Sequence, residues 1–293
     1  MSQEPSVAIV IPAYNEERFI GKCLESCIDQ TSAPDEIIVV NNRSTDHTAS
    51  IVHRYREANA HIDIRLLDQN EHQGVTPTRN CGFDDARSDI IGRIDADSIV
   101  AKDWVEKIRL CFRDPAIAAA SGPAHYYDMP LRASAFWLDR TLRAWVHRTS
   151  KNERFLLGAN MAIRATAWKA VRHLTQLDLQ DRLHEDVELA LTLLENNFEV
   201  IFEPTMSVGT SARRMENSPR DFYQYAMRHA RTTAVHGVPG IKSRAVRTQV
   251  LTLLLLYLPA KTVRFFYDVE NLRFTSSKLR AKIGKALATE ARR

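Results

Sequence analysis

The hydrophobic and polar positions of the first hundred residues alternate between two periods. Val7-Ala8-Ile9-Val10-Ile11 is an unbroken apolar run closed by Pro12, the pattern of a strand buried on both faces. Phe19, Ile20, Cys23, Leu24, Cys27 and Ile28 then recur at helical spacing and mark one apolar face. Glu36 to Val40 reads as a second buried strand, and Ser44 is placed to cap a helix carrying Ile51, Val52 and Tyr55. Ile62 to Leu67 predicts a third strand, Pro77 to Ala86 a short helix, and Ile90 to Ile94 a fourth strand. The order β-α-β-α-β-α-β predicts an α/β fold: a mostly parallel sheet flanked by helices.

In such sheets ligands bind beyond the carboxyl ends of the strands. Those ends carry Pro12-Ala13-Tyr14-Asn15-Glu16, Asn41-Asn42-Arg43-Ser44 and Asp95-Ala96-Asp97, so three polar clusters should converge on one face. Neither G-x-G-x-x-G nor G-x-x-x-x-G-K-[ST] follows a strand, which disfavours dinucleotide-binding dehydrogenases and P-loop NTPases. Two carboxylates at i and i+2 repel unless a cation sits beside them, and oxygen ligands select hard ions such as Mg²⁺ or Mn²⁺. A solvated turn is the plain alternative; the position at a strand end favours a metal.

Four cysteines in 293 residues make no disulfide framework, and Cys23 and Cys27 fit the buried face of a helix. The start of the chain lacks the basic-then-apolar pattern of a signal peptide, so none is expected. Composition, with 44% hydrophobic and 26% charged residues, excludes a disordered chain. The net charge of +4 is unevenly spread: Arg213 to Arg293 holds 17 Lys and Arg against 5 Asp and Glu. A basic tail on an acidic body points to a negative partner, nucleic acid or an anionic membrane surface.

The stretches Val7–Glu16, Ile37–Thr48, Arg79-Asn80-Cys81-Gly82, Ile94–Asp97, Gly158–Ala162 and Glu185–Leu189, taken in order, resemble the successive motifs of family 2 glycosyltransferases, inverting enzymes of the GT-A fold. The resemblance covers roughly residues 6 to 214. It implies a GT-A domain over 1–215, with a donor-binding part (1–100) and an acceptor part (101–215); the charge and hydrophobic pattern beyond it predict a helical basic extension over 216–293. The resemblance also implies a nucleotide-sugar donor, a UDP-sugar favoured. Pro12, Tyr14 and Glu16 would line base and ribose, Arg79 would reach base or diphosphate, and Asp95, Ala96 and Asp97 would carry the metal site. Asn41 and Asn42 stand where the family usually has Asp-Asp; an Asn can still pair with a uracil edge.

The resemblance makes Asp186 the general base on the acceptor hydroxyl, with Glu185 orienting it. Gly158, Ala159 and Asn160 would lie beside donor sugar and acceptor, and Arg213 and Arg214 would cover the diphosphate from the acceptor side. The alternatives are a sugar-phosphate nucleotidyltransferase and a non-catalytic nucleotide-sugar-binding protein. Q-x-x-R-W, the motif of processive synthases, is missing, which predicts transfer of one sugar at a time.

Val250 to Ala260 is an apolar run of eleven, too short to cross a bilayer and interrupted by Pro259. A core helix and an interfacial helix both fit it. Lys278 to Arg293 sets Leu279, Ile283 and Leu287 among basic residues, the pattern of a helix drawn to anionic lipid. No aromatic-stacking or groove-reading motif accompanies the charge, so nucleic acid is not expected. The expected setting is cytoplasmic, peripheral at the membrane's cytoplasmic face, with a hydroxyl acceptor that is lipid-linked in one reading.

Overall fold

A computed structural model describes residues 4–130, 132–149, 154–238, 242–268 and 273–276. Its first half runs β1 (Val7–Ala13), α1 (Ile20–Ile28), β2 (Glu36–Asn41), α2 (Thr48–Ala58), β3 (Asp63–Asp68), α3 (Val75–Asp85) and β4 (Ile90–Arg93). There follow β5 (Ile99–Val100), α4 (Trp104–Cys111), β6 (Ile117–Ser121), β7 (Ala124–Tyr126), α5 (Arg132–Thr149), β8 (Met161–Arg164) and α6 (Ala165–Val171). The chain closes with α7 (Glu185–Glu195), β9 (Glu199–Phe202), β10 (Val208–Thr210), a 3-10 turn (Ala212–Glu216), α8 (Pro219–Val235), α9 (Arg244–Phe266), β11 (Tyr267–Asp268) and β12 (Arg273–Phe274).

Seven strands form the main sheet in the order β3-β2-β1-β4-β8-β6-β9. The four N-terminal strands are parallel, as the alternating pattern predicts, while β8 runs antiparallel to both β4 and β6. Successive residues of β1 feed opposite layers, because strand side chains alternate in direction. Ile9 and Ile11 pack with Cys23, Leu24 and Cys27 of α1, whereas Val10 packs with Phe83 of α3 and Leu189 of α7. A strand that serves two cores must be apolar at every position, hence the unbroken run. β5, β10 and β7 form a small second sheet that carries the chain back to the ends of β1 and β4.

Three sequence expectations are corrected locally. Ser44 caps no helix: its hydroxyl accepts from Asn15 N–H, and it is Asp46 that accepts from Thr48 N–H at the start of α2. Pro259 does not end its helix, since α9 runs 23 residues with Pro259 inside. The carbonyl that the proline leaves without a helical partner belongs to Leu255, which is exposed. The apolar run is therefore part of a longer helix, and Val246–Phe266 is by length and composition sufficient to cross a membrane. The basic helix expected over 278–293 lies outside the described residues.

Candidate active site

The ends of β1, β2 and β4 open into a cleft of about 790 Å³, and the second half of the chain supplies its far wall. From the first half come Pro12, Tyr14, Glu16, Asn42, Asp95, Ala96 and Asp97. Gly158, Ala159, Glu185, Asp186, Arg213 and Arg214 face them, together with Tyr225 and Arg228 of α8. Residues more than a hundred positions apart meet because β8 is inserted next to β4, which sets the turn at 158–160 beside the end of β4.

Asp95 is open to the cleft, its side chain 39% exposed, while that of Asp97 is 8% exposed. The Asp97 carboxyl is pushed up to about 6, first by burial and then by the charge of Asp95, with Arg213 acting against both. Arg213 clasps the donor half: Nη1 donates to Glu16 Oε2 (2.8 Å), Nη2 to Glu16 Oε1 (2.5 Å), and Nε lies 2.8 Å from Asp97 Oδ2. Arg214 instead stacks 4.1 Å over the ring of Tyr225.

Asp186 sits in the first turn of α7, where the helix end favours negative charge. Its carboxylate is held by two backbone donors, Gly158 N–H to Oδ2 (2.7 Å) and Val187 N–H to Oδ1 (2.8 Å). Each oxygen keeps a second lone pair for a substrate proton. His184, just before it, has its pKa lowered to about 4, chiefly by burial, so its imidazole stays neutral.

Arg93 is the residue sequence reasoning missed. It ends β4 fully buried, and Nη2 bridges Asp95 Oδ1 (2.9 Å) and Glu185 Oε1 (3.1 Å). Burial disfavours its charge, but Asp95, Glu185 and Asp186 more than offset that and raise its pKa. The two carboxylate clusters are thus joined by one buried cation. Gly158 makes the space: a Cβ there would lie 1.5 Å from Arg93 Nη1. The one signal in the sequence is an arginine inside an otherwise apolar strand, two residues before Asp95. Tyr225 and Arg228 were also missed, and for Arg228, salt-bridged to Asp181, helix periodicity gave no hint of a cleft.

Four expected site residues have other tasks. Arg79 is fully buried and donates from Nη1 to the Glu185 carbonyl (2.7 Å), with its guanidinium over Phe83 and Trp168. It braces α7 from beneath and does not reach the cleft. Asn160 is buried and accepts from Trp104 Nε1–H while donating to the carbonyls of Pro123 and Met206. It ties the small sheet to the main one. Asn41 pairs with Asp68, and Asn42, although it lines the cleft, spends both amide hydrogens on Gln69 and His72 carbonyls. The pairing of its amide with a uracil edge is therefore not available. The chain leaving β3 carries bare carbonyls at Gln69 and His72, and the Asn42 amide satisfies them.

This cleft gathers its acidic residues at the strand ends of a mixed α/β sheet. Residues 8–173 match Glycosyl transferase family 2, and the chain belongs to that family. It is 32% identical to glycosyltransferase GlyA of Streptococcus pneumoniae over 109 residues, 37% of this chain and 15% of GlyA. It is 36% identical to the putative glycosyltransferase EpsH of Bacillus subtilis over 107 residues, 36% of this chain and 30% of EpsH. The matched stretch thus spans under a third of these curated relatives. The fold is similar to that of the mannosyltransferase PcManGT of Pyrobaculum calidifontis, solved with GDP-Man and Mn²⁺ (TM-score 0.61, 19% identity, 98% of this chain and 81% of that one). It is also similar to residues 1–349 of TarS from S. aureus, solved with UDP-GlcNAc (TM-score 0.56, 16% identity, 86% of this chain and 71% of that one). These likenesses establish the GT-A type fold, and family membership sets aside the nucleotidyltransferase alternative.

Proposed function

We propose that the protein moves one sugar at a time from a nucleotide-sugar donor to a hydroxyl acceptor, with inversion at the anomeric carbon. The observation that carries this is the arrangement of two acidic clusters, Asp95 with Asp97 and Glu185 with Asp186, facing one cleft and linked by Arg93. One carboxylate base and a direct displacement give inversion.

The donor set fits a hard divalent cation such as Mg²⁺ or Mn²⁺. Asp95 and Asp97 supply two carboxylates, and such ions take the remaining positions from diphosphate and water. A dication also offsets the burial and the Asp95 charge that together hold the Asp97 carboxyl high. When bound, it neutralises charge on the departing nucleoside diphosphate. The chain's own residues do the rest. Pro12, Tyr14 and Glu16 line the nucleoside, Arg213 and Arg214 reach diphosphate oxygens, and Gly158 and Ala159 let the sugar approach the backbone. Asp186, pinned by Gly158 N–H, receives the acceptor proton, while Glu185 holds Arg93 beside it. The PcManGT and TarS complexes carry GDP-Man and UDP-GlcNAc, so both bases belong in a first panel; uridine remains our preferred base. The acceptor we favour is lipid-linked, at an anionic membrane surface that attracts the basic C-terminal region, in glycolipid or cell-surface polysaccharide assembly.

A thermal-shift panel tests the donor half. Nucleoside diphosphates and nucleotide sugars should raise Tm more with Mn²⁺ than without it. No shift with any nucleotide, with or without the ion, would overturn the reading.

A further inference from the structure

α9 has two faces of opposite character. Val246, Val250 and Tyr257 are buried against the domain, while Leu251 (47% exposed), Leu255 (73%) and Leu258 (62%) point outward at i, i+4 and i+7. At 100° per residue these three fall within one stripe about 60° wide, and Leu256, also exposed, lies about 100° to one side of it. The inner face is anchored beside the cleft. Tyr257 Oη donates to the Asn217 carbonyl (2.7 Å), Lys261 Nζ donates to the same oxygen, and Arg264 lies 2.9 Å from Glu216. Asn217, Glu216 and Leu253 all line the cleft.

We infer that the outward leucine face of α9 lies flat in the interfacial layer of an anionic bilayer and holds the mouth of the cleft at the lipid surface. Because its inner face is packed, α9 in this arrangement is not free to stand upright as a span, despite sufficient length. Charge selects the occupant. Of the seven Lys and Arg between Phe222 and Tyr267, Arg228 and Arg264 are paired with Asp181, Asp128 and Glu216. Lys242 and Arg247 are exposed, Lys261 donates to neutral carbonyls, and the stretch itself holds no Asp or Glu. A second copy would bring these cations face to face, whereas anionic headgroups complement them. Apolar insertion flanked by cations is the recipe of a surface-bound helix, and each cation near the surface adds to the attraction. The purpose, delivery of a lipid-linked hydroxyl acceptor to Asp186, rests on the glycosyltransferase reading; the surface itself does not.

The test uses the full chain and vesicles of phosphatidylglycerol mixed with phosphatidylcholine. Leu251→Gln/Leu255→Gln/Leu258→Gln keeps every charge and changes only exposed side chains. It should lower partitioning onto the anionic vesicles at least tenfold, with Tm and nucleoside-diphosphate affinity unchanged. Single Leu251→Trp, Leu255→Trp and Leu258→Trp variants should each gain fluorescence that shallow-brominated lipid quenches to the same extent. Equal vesicle binding by wild type and the triple variant would overturn the inference and assign the contact to the basic tail. Quenching graded from 251 to 258 would overturn it in favour of a span. A dimer in lipid-free solution that the triple variant dissolves would overturn it in favour of a self-interface. Nucleotide affinity reports separately on the glycosyltransferase reading, so the two fail independently.

Discussion

Gly158→Ala is the smallest change that should dismantle the site while sparing the fold. Gly158 does not sit at positive φ, so alanine meets no backbone penalty there. The obstacle is Arg93, whose Nη1 would lie 1.5 Å from the new Cβ. Non-bonded carbon and nitrogen do not approach within about 3 Å, so the guanidinium must retreat by roughly 1.5 Å. That displacement takes the contacts to Asp95 and Glu185, 2.9 and 3.1 Å long, beyond hydrogen-bond range. Separating a buried charge from its partners costs about 3–5 kcal/mol, less whatever the open cleft returns through rehydration. A shift of about 1 Å in a catalytic group costs roughly 10²-fold in rate, and Gly158 N–H also positions Asp186. We expect a fall in kcat/KM of at least that size, together with a lower urea midpoint. A double-mutant cycle with Arg93→Ala separates the causes: with the guanidinium gone, Gly158→Ala should do far less harm. If the two substitutions act additively on rate and stability, the Arg93 bridge is not what Gly158 protects.

Asp186→Asn should leave donor affinity within a few-fold, measured by calorimetry, and lower turnover by about 10²–10⁴; near wild-type turnover would sink the base assignment. Asp97→Asn should abolish the part of nucleoside-diphosphate affinity that depends on Mn²⁺, and a retained Mn²⁺ effect would remove Asp97 from the metal site. Two buried histidines should lower stability as pH drops. Burial lowers the pKa of His147 to about 4 and holds His229 well below its ordinary value of 6.5. Between about pH 6.5 and 4 the unfolded chain therefore takes up protons that the folded chain refuses, which favours unfolding. Asp97, with its carboxyl raised to about 6, acts in the opposite sense, so the test is the difference between variants. The urea midpoint should fall less steeply from pH 7 to 5 in His147→Phe than in wild type, and equal slopes would contradict the burial of this ring.

The strands and their order in the first half were legible because β1, β2 and β4 must be apolar on both faces, a pattern that half-exposed strands do not produce. So were the strand-end carboxylates, since topology alone sends Glu16, Asp95 and Asp97 to one face. Contacts set by distant insertions were not legible. Nothing local to Arg93 announces Glu185, 92 positions later, as its partner. The same limit misplaced Arg79 and Asn160. Each is polar and next to a recognisable motif, but burial by Trp168 and Trp104 turns each into a brace. α9 was misjudged for a different reason: an apolar run measures composition, and only packing shows that one of its faces is taken by Asn217 and Glu216.

Inverting transfer by Asp186 from a nucleotide sugar stands or falls on the configuration of the product. The purified protein, Mn²⁺, a panel of α-linked UDP- and GDP-sugars and membrane lipid extract should yield a new glycoside whose anomeric proton, by NMR, is β. The Asp186→Asn variant should yield roughly a hundredth of it or less. A retained α linkage, or equal product from the variant, would contradict this mechanism.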